Sequence, residues 1–263
     1  MVERELASSR SVAQQLIDSG QVLVNGSIAE KAARRVFRSD QLFVLKRARY
    51  VGRGGEKLDG ALSEFGLSPL GWACIDIGSS TGGFVDCLLQ NGAKSVVALD
   101  VGRAQLDSRL RSDHRVIVFE QTDVRGFVSA DPAPNSYDLM TADLSFISIR
   151  SVIDDLYRIC SSNPSCFLVI LVKPQFEVGH RDASISKGVI KDPTLWSSVL
   201  LETAKQLERV GFRIEGLAPS KLRGAAGNQE FFFWASIGPG SALDSYSLTA
   251  LIDSAVAAAA DPP

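Results

Sequence analysis

The 263-residue chain has few of the residues from which metal centres are built, and it has no long apolar run. It contains two histidines and four cysteines. Because Cys74, Cys87, Cys160 and Cys166 lack the paired spacing of zinc ligands, we expect reduced, mostly buried thiols and no metal site. No run of about eighteen apolar residues occurs, so we expect no transmembrane helix. The polar start of the chain is not a signal peptide, and we expect a cytoplasmic protein without a membrane partner.

Charge is distributed unevenly, although the formal net charge is only −2. Residues 1–57 contain 11 Lys and Arg against 6 Asp and Glu, whereas residues 58–263 contain 17 against 24. A basic first part on an acidic body predicts that the first part meets a polyanion. The alternative is a small solvated domain whose positive charge serves no partner.

A nucleotide-binding βαβ unit is predicted for residues 74–100, where a glycine turn, a helical stretch and an apolar run ending in Asp100 follow one another. The turn comprises Gly78, Ser79, Ser80, Thr81, Gly82, Gly83 and Phe84. The dinucleotide fingerprint requires a second glycine where this chain has Ser80. The pattern Asp76-x-Gly78-x-x-x-Gly82 is more typical of enzymes that use S-adenosylmethionine (SAM). We therefore expect the turn to wrap the amino acid part of SAM, and Asp100 to hold its ribose hydroxyls.

Apolar runs alternate with helical stretches from residue 72 onward, which is typical of a doubly wound α/β fold. The predicted strands lie at 73–77, 95–99, 116–119, 137–142, 166–172, 212–218 and 230–237. The pattern predicts a Rossmann-like, SAM-dependent methyltransferase fold with a seven-stranded, mostly parallel sheet whose closing pair forms an antiparallel edge. Helices are expected at 56–65 and 246–260.

A small α+β domain is predicted ahead of the Rossmann-like one, over residues 1–45. A capped amphipathic helix is expected at 8–20, the turn Asn25-Gly26 signals a hairpin, and 41–45 would be the closing strand. This unit resembles the S4-type RNA-binding domain, except that the usual first helix is short or missing. We expect 46–55, which is basic and rich in glycine, to be an interdomain linker, and 56–263 to be the catalytic domain.

Basic residues of the first part and of the predicted linker are the candidates for contacts with RNA phosphates. They are Arg10, Lys31, Arg34, Arg35, Arg38, Arg49 and Arg53. Such contacts position RNA rather than read its sequence, so we expect target choice to depend on RNA shape and on flipping of the target nucleotide. Each arginine taken singly has the alternative of a solvated surface charge.

Three residues follow predicted strands, at the edge where such sheets bind their ligands: Asp143 and Lys173 come directly after a strand, and Asp123 comes four residues after one. Asp123 is placed to accept a hydrogen bond from the adenine amino group, with an exposed loop acid as the alternative. Asp143 would point toward the sulfur of SAM. Lys173 follows a very apolar run, and burying an ammonium is costly unless it is paired or functional, so we expect a functional lysine there.

Six motifs resemble the TlyA family of ribosomal RNA ribose 2′-O-methyltransferases, also known as hemolysin A, whose catalytic domain is FtsJ-like. They are RYVGRGGEKL, DIGSSTGGF, ALDVGRAQL, TADLSFIS, LVKPQFEVG and GNQEFFFW, and they cover nearly the whole chain. The resemblance implies a catalytic tetrad of Lys57, Asp143, Lys173 and Glu230. It also implies SAM as the cofactor, ribosomal RNA or ribosomal subunits as the partner, and cytidine targets in the large subunit and, in some members, the small subunit.

The residue types of this tetrad suit methylation of a ribose 2′-hydroxyl, a poor nucleophile whose proton must be removed. A desolvated lysine beside a second cation would take the proton or stabilise the developing alkoxide, while the two carboxylates hold the lysines in place. The sequence leaves open which lysine takes the proton. Two other classes remain as alternatives: a nicotinamide-dependent oxidoreductase, and a membrane-active or purely RNA-binding protein.

Overall fold

The protein folds into two compact units in a computed structural model, Met1–Arg49 and Tyr50–Pro263. The structure describes residues 1–4, 6–7, 10–18, 20–29, 31–45, 49–127, 136–178, 188–224, 227–238 and 243–260. Parts of the predicted first helix (8, 9 and 19) and of the predicted linker (46–48) lie outside the described residues. Within these ranges, no helix is both long enough and apolar enough to cross a membrane.

The described residues of the smaller unit form one α-helix and a three-stranded antiparallel sheet in the order β2-β1-β3. Its elements are α1 (Arg10–Asp18), β1 (Val22–Val24), β2 (Ser27–Ile28) and β3 (Leu42–Val44), preceded by a 3₁₀ turn over Val2–Arg4. Asn25 and Gly26 have positive φ angles of 52° and 83°, as the predicted two-residue hairpin requires. The buried side chains of Val22 and Val24 pack against α1, so the predicted helix, hairpin and closing strand are confirmed.

The larger unit is built on a seven-stranded sheet in the order β6-β5-β4-β7-β8-β10-β9. Its strands are β4 (Ala73–Ile77), β5 (Ser95–Leu99), β6 (Val116–Phe119), β7 (Leu139–Ala142), β8 (Phe167–Val172), β9 (Arg213–Pro219) and β10 (Phe231–Ser236). Strand β10 is antiparallel to both of its neighbours, and the remaining pairs are parallel. The predicted fold class and all seven predicted strands are therefore confirmed.

Two hydrophobic clusters cover the two faces of this sheet, which explains why its central strands are continuous apolar runs. The helices of the larger unit are α2 (Arg53–Phe65), α3 (Gly83–Gln90), α4 (Ser108–Arg111), α5 (Ile153–Cys160), α6 (Pro174–Glu177), α7 (Pro193–Val210) and α8 (Ser245–Ala260). All four cysteines are buried free thiols, as expected. The doubly wound order places the carboxyl ends of β4, β5, β7 and β8 at one edge of the sheet.

Helix α2 begins at Arg53, three residues before its predicted start. Two glycines in its first turn suggested a linker because glycine is a poor helix former. The start of α3 comes so close that a Cβ on Gly83 would lie 2.9 Å from the backbone nitrogen of Gly55. Close contact between the two helices therefore requires glycine, and the residues from Tyr50 to Gly55 belong to the larger unit.

Candidate active site

The glycine turn after β4 has two positions at which a side chain would not fit. Gly78 and Gly82 have φ angles of 81° and 95°, which residues with a Cβ rarely adopt. A Cβ on Gly78 would lie 2.7 Å from the carbonyl oxygen of Asp143, and one on Gly82 would collide with Leu110. Both positions therefore require glycine, and the turn has no side chain at either of them at the carboxyl end of β4.

Asp100 fastens this turn to the end of the neighbouring strand β5. Its Oδ2 accepts a hydrogen bond of 2.8 Å from the backbone N–H of Ser80, and its Oδ1 accepts one of 2.6 Å from the N–H of Gly102. Each carboxylate oxygen has a second lone pair. The structure thus places Asp100 beside the turn, with capacity left to accept bonds from hydroxyl groups.

Asp76 is a buried acid in β4, two residues before the turn, and it was part of the sequence pattern without being assigned a role. Its Oδ1 accepts a 2.7 Å hydrogen bond from the hydroxyl of Thr141. Its Oδ2 is buried and has no hydrogen-bond partner among the described residues. Burial, with a smaller contribution from the charges of Asp143 and Asp100, raises the pKa of Asp76 to about 8.

Asp123 contacts its own turn. Its side chain accepts a 2.9 Å hydrogen bond from the backbone N–H of Arg125 and lies 3.5 Å from the Nε atom of the same residue. The Asp123 side chain is 52% exposed. The assignment of this residue to the adenine amino group stays a prediction, because the same contacts fit the alternative of an exposed loop acid.

Lys173 and Asp143 meet at the ends of the neighbouring parallel strands β8 and β7. The Nζ atom of Lys173 lies 2.5 Å from Oδ1 of Asp143 and donates a 2.7 Å hydrogen bond to the hydroxyl of Ser145. Lys173 is buried, and it directly follows six strand residues that have no polar side chain. The expectation that a lysine here must be paired or functional is consistent with this geometry.

Lys57 and Glu230 form a second lysine–carboxylate pair at the same edge. The Nζ atom of Lys57 lies 2.6 Å from Oε2 of the buried Glu230. Phe231 pairs with Val172 across β10 and β8, so one further step of this register places Glu230 opposite Lys173. The four residues that sequence motifs grouped into a tetrad are thus brought together by α2 and three adjacent strands.

Phe146 is an exposed aromatic residue that sequence reasoning did not assign. It is 89% exposed and has a φ angle of 68°, which is rare for a bulky residue. Its ring centroid lies 5.5 Å from that of Phe176, which in turn lies 5.9 Å from the Nζ atom of Lys173. Strained exposed residues cluster at functional sites. The sequence signal that could have indicated Phe146 was an aromatic residue three positions after a strand-end acid.

The segment before α2 packs on the glycine turn and on the start of α3. The backbone N–H of Val51 donates a 2.8 Å hydrogen bond to Asp86 in α3. A Cβ on Gly52 would lie 3.0 Å from the hydroxyl oxygen of Thr81. Arg53 donates a 3.1 Å hydrogen bond to the carbonyl oxygen of Arg223, so this candidate for RNA contact lies on the larger unit. These contacts hold the start of α2, which contains Lys57, against the glycine turn.

Predicted phosphate contacts of the smaller unit are exposed, and most of them surround one concavity of about 900 Å³. The basic residues that line it include Arg10, Lys31, Arg34 and Arg38, whereas Arg35 is exposed elsewhere. Apolar side chains, among them those of Val22 and Val24, also line this concavity. Arg49 is exposed at the end of this unit. Their role in RNA binding stays a prediction.

Comparison with protein families matches residues 50–237 to the FtsJ-like methyltransferase model and residues 1–42 to the S4 domain model. Among curated relatives, the 16S/23S rRNA (cytidine-2′-O)-methyltransferase TlyA of Mycobacterium tuberculosis is 40% identical over 97% of this chain and 95% of its own length. The chain belongs to the TlyA family. The TlyA resemblance inferred from the six motifs is therefore confirmed.

Other relatives carry two kinds of name. The TlyA protein of Campylobacter jejuni, a 23S rRNA (cytidine-2′-O)-methyltransferase, is 33% identical over 89% of this chain and 96% of its own length. A solved structure from Streptococcus thermophilus with a provisional hemolysin name is 34% identical, with a TM-score of 0.73 over 95% of this chain and 91% of that one. Membership in the TlyA family favours methyl transfer over the nicotinamide-dependent alternative.

Proposed function

We propose that this protein transfers the methyl group of SAM to a ribose 2′-hydroxyl of ribosomal RNA, at a cytidine. One observation carries this proposal. Two lysine–carboxylate pairs, Lys173 with Asp143 and Lys57 with Glu230, lie at the same sheet edge as a glycine turn. The turn offers a site for the methyl donor, and the lysines offer a site for the hydroxyl that receives the methyl group.

The residues around the turn fit SAM. The turn from Gly78 to Gly82 lies where the sequence pattern places the amino acid part of the cofactor, and the two oxygens of Asp100 suit its ribose hydroxyls. Oδ2 of Asp76, whose raised pKa favours the protonated acid, adds a buried polar atom two residues before the turn. Bound SAM supplies an electrophilic methyl group on a sulfonium, whose positive charge the carboxylate of Asp143 would favour.

The two lysines remove the proton of the 2′-hydroxyl and stabilise the charge that develops on its oxygen. As the oxygen attacks the methyl carbon, this proton must leave, and a lysine can accept it only in the neutral amine form. A second, protonated lysine nearby stabilises the negative charge that develops on the oxygen. Lys173 and Lys57 are held for these two tasks by Asp143 and Glu230, and we assign the proton transfer to the pair of lysines rather than to one of them.

Substrate choice is supported by the smaller unit and by the relatives. Exposed basic residues around one concavity suit the phosphates of structured RNA, and such contacts position the substrate without reading its sequence. Cytidine in 23S rRNA is named for the relatives of both M. tuberculosis and C. jejuni, and 16S rRNA for the former alone. We therefore propose large-subunit cytidine as the first target and small-subunit cytidine as a second. We also propose that the protein acts in the cytoplasm.

Mapping of ribose methylation tests this proposal directly. Ribosomal RNA from cells with and without the gene is compared at nucleotide resolution, and the purified protein is then supplied with SAM and unmethylated subunits. We expect 2′-O-methylcytidine in 23S rRNA to depend on the protein in both settings. If no ribose methylation differs between the two cell types, the proposed function is wrong.

A further inference from the structure

Glu177 is a buried carboxylate that the proposed methyl transfer does not use. It is the last residue of α6, four positions after Lys173, and its side chain is 1% exposed. The hydroxyl of Ser148 donates a 2.5 Å hydrogen bond to its Oε2, and the N–H of Ile149 donates one of 2.7 Å to its Oε1. Arg150 donates a 3.2 Å hydrogen bond from Nε to Oε2 and a second one to the backbone carbonyl of Glu177.

These contacts bind the loop after β7 to the segment after β8. The loop runs from Asp143 to Ser148, and both of its ends are held by that one segment. At the first end, Lys173 contacts Asp143 and Ser145. At the second end, the Glu177 carboxylate accepts three hydrogen bonds from Ser148, the last loop residue, and from Ile149 and Arg150, which follow it. The loop thus bridges two anchors that lie only four residues apart in sequence.

The region between the anchors contains the strained residue Phe146. A positive φ angle at a phenylalanine persists only when the surrounding structure over-determines it. Lys173 contacts Asp143 and Ser145, which precede Phe146, whereas Ser148, which follows Phe146, is held by Glu177. The hydrogen bonds to Glu177 supply the second constraint, which keeps Asp143 and Ser145 in reach of Lys173.

We infer that Glu177 is a positioning residue for methyl transfer, which acts through Ser148, Ile149 and Arg150 on the loop that contains Asp143 and Phe146. This inference rests on the proposed function. The polar contacts of Glu177 are with Ser148, Ile149 and Arg150, whereas the glycine turn and Asp100 follow β4 and β5. Because the loop supplies only Asp143 to the proposed SAM site, loss of the Glu177 carboxylate slows the chemical step far more than it weakens SAM binding.

The test compares Glu177→Gln with a matched control at the opposite edge of the sheet. Glu215 in β9 also accepts hydrogen bonds from a serine, Ser236 at 2.5 Å, and from an arginine, Arg213 at 2.7 Å. Ser236 pairs with Phe167, the first residue of β8, far from the carboxyl ends of the strands. Glu215→Gln thus removes a similar network without touching the site.

We expect Glu177→Gln to lower kcat by about 10- to 100-fold, as a misplaced reacting group does, with the SAM dissociation constant unchanged within about threefold. Ser148→Ala, a milder change, lowers kcat in the same direction and serves if Glu177→Gln does not fold. Hydrogen exchange over residues 143–150 is faster in both variants. Glu215→Gln changes neither kcat nor this exchange.

Four results bear against the inference in different ways. Unchanged kcat in Glu177→Gln and Ser148→Ala contradicts it, as does an equal loss in Glu215→Gln, which would point to general destabilisation. Unchanged hydrogen exchange of the loop contradicts it without reference to activity. Absence of methyl transfer by the unsubstituted protein, by contrast, overturns the proposed function itself and the inference with it.

Discussion

Glu230 lies opposite Lys173 where β10 and β8 cease to pair, yet each binds a partner from another element. Glu230 holds Lys57 of α2 at 2.6 Å, and Lys173 holds Asp143, the residue after β7, at 2.5 Å. Two lysines are thereby kept at one sheet edge, each next to a carboxylate. In the proposed mechanism one of them stabilises the alkoxide as a cation, and the other accepts the proton once it is in the neutral amine form.

Replacing Lys173 with alanine should lower kcat by about 10²- to 10⁴-fold, because the site loses a proton acceptor or an alkoxide partner. SAM binding should persist, since the glycine turn is unchanged. Single-turnover transfer of labelled methyl groups and calorimetric SAM titration measure the two effects. Lys94→Ala, an exposed lysine at the other edge of the sheet, is the control. If the Lys173 variant retains methyl transfer, Lys173 is not catalytic, and its contribution would be to RNA binding alone.

Replacing Phe146 with alanine should weaken productive RNA binding, because this exposed ring, which contacts Phe176 next to Lys173, is placed to stack on the target base. Stacking of one base on an aromatic ring is worth about 1–3 kcal/mol, so KM for RNA should rise at least several-fold. Phe146→Trp should retain function. Tyr246→Ala removes another highly exposed aromatic ring, on α8, and should have no effect. Equal KM values in all variants would show that Phe146 does not meet the RNA.

Asp76 makes stability depend on pH in a predictable direction. Its pKa is raised from 3.8 to about 8 in the folded protein, so between these values the folded state binds more protons than the unfolded chain. The free energy of unfolding therefore falls, as far as this residue is concerned, as pH rises from about 4 to about 8. Asp76→Asn resembles the protonated acid and lacks this decline.

Thermal unfolding of both proteins at several pH values between about 5 and about 8 tests this expectation. The difference in Tm, variant minus unsubstituted protein, should increase with pH, while the contributions of all other groups cancel in the difference. A constant difference would mean that Asp76 is already ionised in the folded protein at acidic pH.

Gly78→Ala should impair the cofactor site. The new Cβ would press on the carbonyl oxygen of Asp143, and the positive φ angle adds a cost of about 1–2 kcal/mol. The free variant can relieve this strain by moving the turn, so SAM binding must restore the strained turn at that cost, and we expect SAM affinity to fall about tenfold, since about 1.4 kcal/mol is one order of magnitude. Gly126→Ala, with nothing within 4 Å of the added carbon, is the matched control. Calorimetric titration with SAM distinguishes them, and equal affinities would contradict the assignment of the turn.

Arg34→Glu in the smaller unit should reduce affinity for ribosomal RNA and flatten its dependence on salt. Each lost phosphate contact lowers the slope of log affinity against log salt by roughly 0.7 to 0.9. SAM binding should not change. Lys94→Glu makes the same charge change at the far edge of the larger unit and controls for net charge. Equal salt slopes in the two variants would show that Arg34 does not contact an RNA phosphate.

Local pattern was enough to predict each strand of the larger unit to within two residues at either end. Buried parallel strands are unbroken apolar runs, and glycines or acids end them. The start of α2 was predicted three residues too late, because the two glycines in its first turn are poor helix formers. What decides the helix there is the close approach of Gly83 to the first turn of α2, a contact between residues far apart in sequence.

The sequence by itself determined the fold class, the family and the residue types at each strand end, because periodicity and motifs are local properties of the chain. Tertiary structure alone decided which of these residues meet. The pairing of Lys57 with Glu230 joins residues 173 positions apart, and neither the buried oxygen of Asp76 nor the loop anchored on Glu177 has a local sequence signature. The only local signal for Phe146 was its position three residues after a strand-end acid. Such features depend on strand order and burial, which arise only when the whole sheet is assembled.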